Sequence, residues 1–226
     1  MNMIKSTFNI KPFKTLLKTI LPASLLLLSA CSMNPMEGSA AQYTSHYDRS
    51  THVVNDFNVR SVTQAPEQIV LMFRVDVAPT EAFELVADIN KLTIWFTDIK
   101  NPQVDNRLSV NGPDAFGVNS VRTCSLDGDI LYEDIVHYDA KNLSYAYAID
   151  MDKSTVSFPI SNQMAMFTVE SDGNGGSVIS WRHYFNKNFH VMAPVLNFMM
   201  KKMIMRPAVE NLFEQYGGEW IEPVSV

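Results

Sequence analysis

Cysteine is scarce in this chain: 226 residues contain two, Cys31 and Cys124. That spacing excludes a Cys-x-x-Cys redox or zinc motif. A G-x-S-x-G nucleophile elbow, an H-E-x-x-H zinc motif and a phosphate loop are also missing. Asp172-Gly173-Asn174-Gly175-Gly176 has the composition of a hairpin turn rather than a nucleotide cradle, so no cofactor is implied. The apolar run Thr19 to Ala30 is broken by Pro22 and falls short of the roughly 20 residues a membrane helix needs. Basic charge is in deficit, 18 Lys+Arg against 24 Asp+Glu for a net −6. Lys5, Lys11, Lys14 and Lys18 are the only charges before Cys31, so a chain beginning at Cys31 carries −10. Phosphates would repel such a body, which argues against nucleic acid as a partner. It also removes electrostatic adhesion to anionic lipid as an expectation.

What is present is enough apolar material, 46% of residues, for one ordinary domain with an appendage. Mean hydropathy near zero argues against an integral membrane protein. The lysines of Met1 to Lys18 followed by an apolar run have the order of a secretory signal. Its end, Leu28-Ser29-Ala30-Cys31, resembles the lipobox of bacterial lipoproteins. That resemblance implies cleavage before Cys31, acylation of its thiol and new amino group, and anchoring by acyl chains worth about 0.8 kcal/mol per buried CH₂. Ser32 in place of an aspartate implies export to the outer membrane, facing the periplasm. Cys124, left alone, is expected to be a buried, inert thiol. Residues 31–66 are polar and are expected to form a tether with a reach of roughly 30 to 35 Å, although Thr51 to Val62 alternates weakly and could lie on the domain as an extra strand. His46 and His52 stand six apart with no cysteine nearby, a spacing that makes no metal site.

From Ile69 the order of elements is legible. Residues 69–77 have strand character; Pro79 opens a helix, PTEAFELVADI, with Phe83, Val86 and Ala87 near one face; Asn90 to Phe96 forms a second short helical segment. Strand-like runs follow at 116–125, 130–138, 143–151, 163–170 and 177–187, with 104–110 weaker. Phe189 to Gly218 is the longest helical signal. Pro194 suits its first turn, Gly217-Gly218 ends it, and Leu196, Met199, Met203, Val209 and Leu212 keep helical spacing. Pro207 inside that pattern predicts a kink. An antiparallel sheet with one apolar face needs a cover, and only this helix is long enough, which makes the class α+β.

VDVAPTEAFELVADINKLTIWF, FGVNSVR, EDIVHYDAKNLSYAY and GGSVISWRHYF before the long helix together resemble the SRPBCC superfamily, the START-like group that includes polyketide cyclase/dehydrase and lipid-transport members. The resemblance covers about residues 67–218. It implies a helix-grip fold over 67–220, a curved sheet around the terminal helix with an apolar cavity between them, and a tail at 221–226. It implies binding of a hydrophobic or amphipathic small molecule. A cyclase/dehydrase-like enzyme and a filled interaction domain remain alternatives; the protein partner of the latter is unknown, and fold alone does not choose.

The Asp127-Gly128 turn sets a register in which Leu126 pairs with Asp129, Cys124 with Leu131, and Arg122 with Glu133. The last two are expected to form a partly buried ion pair that is either structural, a polar anchor for ligand, or, through Glu133, a general base. Tyr145 and Tyr147 share one face of their strand, as do Trp181 and His183. They either pack or line the cavity, with His183 the best acid-base candidate. Trp95, Met199 and Met203 complete the expected lining, Met for its adaptability.

Overall fold

The computed structural model describes residues 51–188 and 193–221. The signal segment, Cys31, His46, the first part of the tether and residues 222–226 lie outside them. Strands β1 (Val53–Val54) and β2 (Phe57–Asn58) form a small hairpin, followed by a 3₁₀ turn at Val59–Ser61. The domain then runs β3 (Glu67–Val75), α1 (Pro79–Ala87), α2 (Ile89–Trp95), β4 (Ile99–Asp105), β5 (Val121–Leu126), β6 (Asp129–Asp139), β7 (Ser144–Ile149), β8 (Ile160–Ser171) and β9 (Ser177–Lys187). It closes with α3 (Ala193–Met199), a π-helical segment at Met200–Met205, α4 (Arg206–Tyr216) and β10 (Gly218–Ile221). Eight strands form one antiparallel sheet in the order β10-β3-β9-β8-β7-β6-β5-β4. This is the helix-grip, α+β architecture the sequence predicts.

Local chemistry explains most of it. In β3 every second residue, Ile69, Leu71, Phe73 and Val75, is buried, the period of a strand with one face on a core. Asp127 (φ 52°) and Gly128 (φ 87°) both occupy the left-handed region, as a two-residue hairpin turn requires. The register is the expected one, with Leu126↔Asp129, Cys124↔Leu131 and Arg122↔Glu133. Register shifts in the β3–β9, β4–β5, β6–β7 and β8–β9 pairs mark bulges, which bend strands and let the sheet curve.

Four expectations are corrected. The weaker strand at 104–110 is displaced to Ile99–Asp105: Pro102 disguises it, but β4 is the sheet edge, where a missing N–H costs no ladder bond. Residues 51–66 leave the expected tether and are folded, the alternative that the weak alternation of Thr51 to Val62 holds open. Val54, Val59 and Ala65 bury themselves against Ala146, Met164, Met166 and Tyr184 on the outer face of the sheet. That cover explains why β8 is apolar on both faces. The C-terminal boundary moves as well, because Ile221, assigned to the tail, is buried in β10 and pairs with Met72.

The terminal helix differs most. The kink expected at Pro207 appears upstream as a π-helical segment, with the Arg206 N–H bonded to the Lys201 carbonyl five residues back. Proline lacks the N–H to continue an α ladder, but in the first turn of α4 none is needed. The helix therefore absorbs its irregularity before the proline.

Candidate functional site

Between the inner face of the sheet and the terminal helix lies a cavity of about 70 Å³. Sheet register builds its floor: Tyr145 pairs with Phe167 and Phe167 with Trp181. Those rings stack at 5.2 Å and 4.9 Å between centroids. One row along, Tyr147, Ala165 and His183 pair in sequence. Glu133 pairs with Ile149, and because Met164 pairs with Ala148, Gln163 falls one step on, toward that same row. The opposite wall is Met200, Ile204 and Met205 of the π-helical segment. A mostly apolar cleft with a few convergent polar groups is the usual form of a small-molecule site.

Of the residues predicted from sequence, Glu133, Tyr145, Tyr147, Trp181 and His183 reach this wall. Trp95, Arg122, Met199 and Met203 do not. Trp95 lies behind it, fully buried, its indole donating to the Leu85 carbonyl at 2.8 Å and its ring set edge-on to Trp181. Arg122 supports the wall from the neighbouring strand. The two methionines are displaced by the helix geometry: a 3.6-residue period aligns Met199 and Met203 with Leu196, but the widened turn carries the inward stripe on to Met200, Ile204 and Met205. Met203 is half-buried outside the lining and Met199 is buried away from the cavity. Gln163 was missed, yet its signal was present, since it alternates with Ala165 and Phe167 on one face of β8.

The ion pair is fully enclosed. Arg122 Nε donates to Glu133 Oε2 at 3.0 Å. Nη2 lies 2.9 Å from the same oxygen but off the hydrogen-bond direction. The guanidinium instead spreads over Tyr147 at 4.8 Å and Tyr145 at 5.5 Å, contacts that gain strength away from water. Burial works against its charge, but Glu133 and the two tyrosines outweigh burial and hold its pKa above the ordinary value. For Glu133 burial dominates and raises its pKa despite Arg122. The Tyr145 hydroxyl donates to the Val86 carbonyl, tying the floor to α1. Cys124 is buried and its thiol is pushed up to about 12 by burial, so it is inert at neutral pH.

His183 is 4% exposed, and neither ring nitrogen has a hydrogen-bond partner among the described residues. Burial alone pushes its pKa down to about 3 from an ordinary 6.5. The folded imidazole is then neutral while the unfolded one protonates, so its contribution to stability is whole above about 6.5 and is lost as pH falls toward 3. His137, also lowered by burial, adds to the upper part of that window. His183→Gln should remove about 1.4 kcal/mol per pH unit of acid sensitivity within it, read from urea midpoints at a series of pH values. An unchanged pH profile would contradict this placement.

Residues 67–216 match the model of a family described as polyketide cyclase / dehydrase and lipid transport. A START superfamily protein from Mycobacterium smegmatis is similar in structure, with a TM-score of 0.53 at 10% identity over 67% of this chain and 97% of that one. A solution structure from Thermobifida fusca gives 0.52 at 20% identity, covering 66% of this chain and 93% of that one. The di-domain ARO/CYC BexL from the BE-7585A biosynthetic pathway gives 0.52 at 10% identity, over 65% of this chain and 45% of that one. At such identities the likeness is one of fold. No curated protein matches the sequence.

Proposed function

The chain belongs to the polyketide cyclase / dehydrase and lipid transport family, and on that premise we propose that its domain holds a hydrophobic or amphipathic small molecule between sheet and terminal helix, while an acylated Cys31 ties it to the cell envelope. One observation carries the reading: an aromatic-floored cavity into whose wall a buried imidazole is set with both nitrogens unpartnered among the described residues. Leaving such groups unpaired costs about 1–3 kcal/mol each, which a ligand's polar end would recover. The cavity of about 70 Å³ is smaller than the roughly 300–1,000 Å³ of drug-sized sites, so a ligand enters by displacing a wall. Met200, Ile204 and Met205 form the wall suited to yield, since thioether chains repack easily and a π-helical turn is already irregular.

Support for a cyclase/dehydrase-like enzyme is weaker. Glu133 is committed to Arg122, and an imidazole held at about 3 is a poor proton acceptor at neutral pH. A filled interaction domain would leave the cavity without a role. Incubating delipidated protein with an extract of its own membranes, re-isolating it and analysing the organic phase tests the reading. One apolar compound per chain is expected; protein that returns empty would oppose it.

The anchor rests on Leu28-Ser29-Ala30-Cys31, and Ser32 favours an outer-membrane site facing the periplasm. Cys31→Ser should leave an unacylated precursor that washes from membranes in carbonate. Retention of that variant on the membrane would contradict the anchor.

A further inference from the structure

The polar groups of the cavity wall set a charge rule for what can bind. Among the described residues Glu133 is the one formally charged side chain in the lining, and its two contacts with Arg122 both use Oε2. Its other oxygen has no hydrogen bond among the described residues. Gln163 Oε1 and both nitrogens of His183 are buried and unpartnered among the described residues, as is the Trp181 indole N–H. The wall therefore offers acceptors (Glu133, Gln163 Oε1, one His183 nitrogen) beside neutral donors (Trp181, the other His183 nitrogen, the Gln163 amide and the Tyr147 hydroxyl). Arg122, the cation paired with Glu133, is fully buried behind it and outside the lining, where it meets no bound anion.

We propose that this cavity selects a neutral hydroxyl on an apolar body and rejects carboxylates and phosphates. A hydroxyl both donates and accepts, so it can satisfy an acceptor and a donor of this wall at once. A carboxylate only accepts. It would leave the acceptors of Glu133 and Gln163 unpaired and would face the Glu133 charge where little water screens it. His183, neutral in the folded protein, supplies no compensating charge. This selectivity rests on the binding reading above and narrows its ligand class.

Two matched probe pairs test it on the delipidated domain at neutral pH: decanol against decanoate, and 2-naphthol against 2-naphthoate, by calorimetry. The hydroxyl member of each pair should bind at least about tenfold more tightly than the anion. An anion that binds equally or better overturns the charge rule while leaving a binding cavity in place. Equal binding of decane or naphthalene to that of the matching hydroxyl compound would overturn the polar selection as well. If no probe binds, the cavity reading itself fails and the charge rule falls with it. Glu133→Gln, which leaves the Arg122 charge unneutralised, should shift preference toward the anion. Because that variant risks misfolding, the wild-type probe pairs decide the matter by themselves.

Discussion

Arg122→Met should destabilise the domain by about 3–5 kcal/mol, because it leaves Glu133 buried without its countercharge. Arg122 is fully buried and the Glu133 side chain is 5% exposed, so water cannot take over the lost role. Against a typical total of about 5–15 kcal/mol, that loss approaches the whole margin of a small domain. The sign of its pH dependence separates this cause from a packing defect. Burial already raises the Glu133 pKa, and removing Arg122 raises it further. A carboxyl with a raised folded pKa retains its stability below the unfolded value and loses it as pH rises through the folded one. The defect should thus be smaller in acid and larger at neutral pH. Arg122→Met combined with Glu133→Leu should recover most of the loss, since a matched apolar pair carries no stranded charge. Urea midpoints across pH check all three statements, and an Arg122→Met midpoint equal to wild type at neutral pH would contradict them.

The second large effect lies across the cavity. Met205→Asp should cost several kcal/mol and abolish ligand binding, because Met205 is 1% exposed and faces the aromatic floor. Met203→Asp, two residues away, half-buried and outside the lining, should cost clearly less stability than Met205→Asp and leave binding intact. A regular α-helix in the register of Leu196 and Met199 would give the reverse ranking. Thermal melts of the two variants, each with and without decanol, distinguish the registers.

That contrast also marks where the sequence was legible. The Asp127-Gly128 turn is specific enough to dictate pairing two strands deep, and Arg122 met Glu133 as its spacing requires. Alternation in β7 and β9 placed Tyr147, Trp181 and His183 on the inner face correctly. Periodicity fails where geometry departs from its own assumption. A 3.6-residue template cannot see a π-helical segment, and so it named Met199 and Met203 in place of Met200 and Met205. Trp95 looked like lining because aromatics are common there, but its indole is held by Leu85 from within α1. The weak alternation of Thr51 to Val62 points to one strand on the domain, but two-residue strands such as Val53–Val54 and Phe57–Asn58 are too short to fix a period, and the burial of this segment against Met164 and Met166 defines it. Strand β10 is hidden by the Gly217-Gly218 stop, whose second glycine is its first residue: its pairing with β3 is a long-range fact that no local pattern encodes.

The most direct test is methyl NMR of protein carrying ¹³C at the methionine methyls, assigned by substitution and titrated with decanol. Methionines lining an occupied cavity should respond first. Large shifts at Met200 and Met205, with Met199 and Met203 nearly still, are the expected result. Shifts confined to Met203, or none at any methionine while decanol binds, would place the ligand elsewhere and contradict the site.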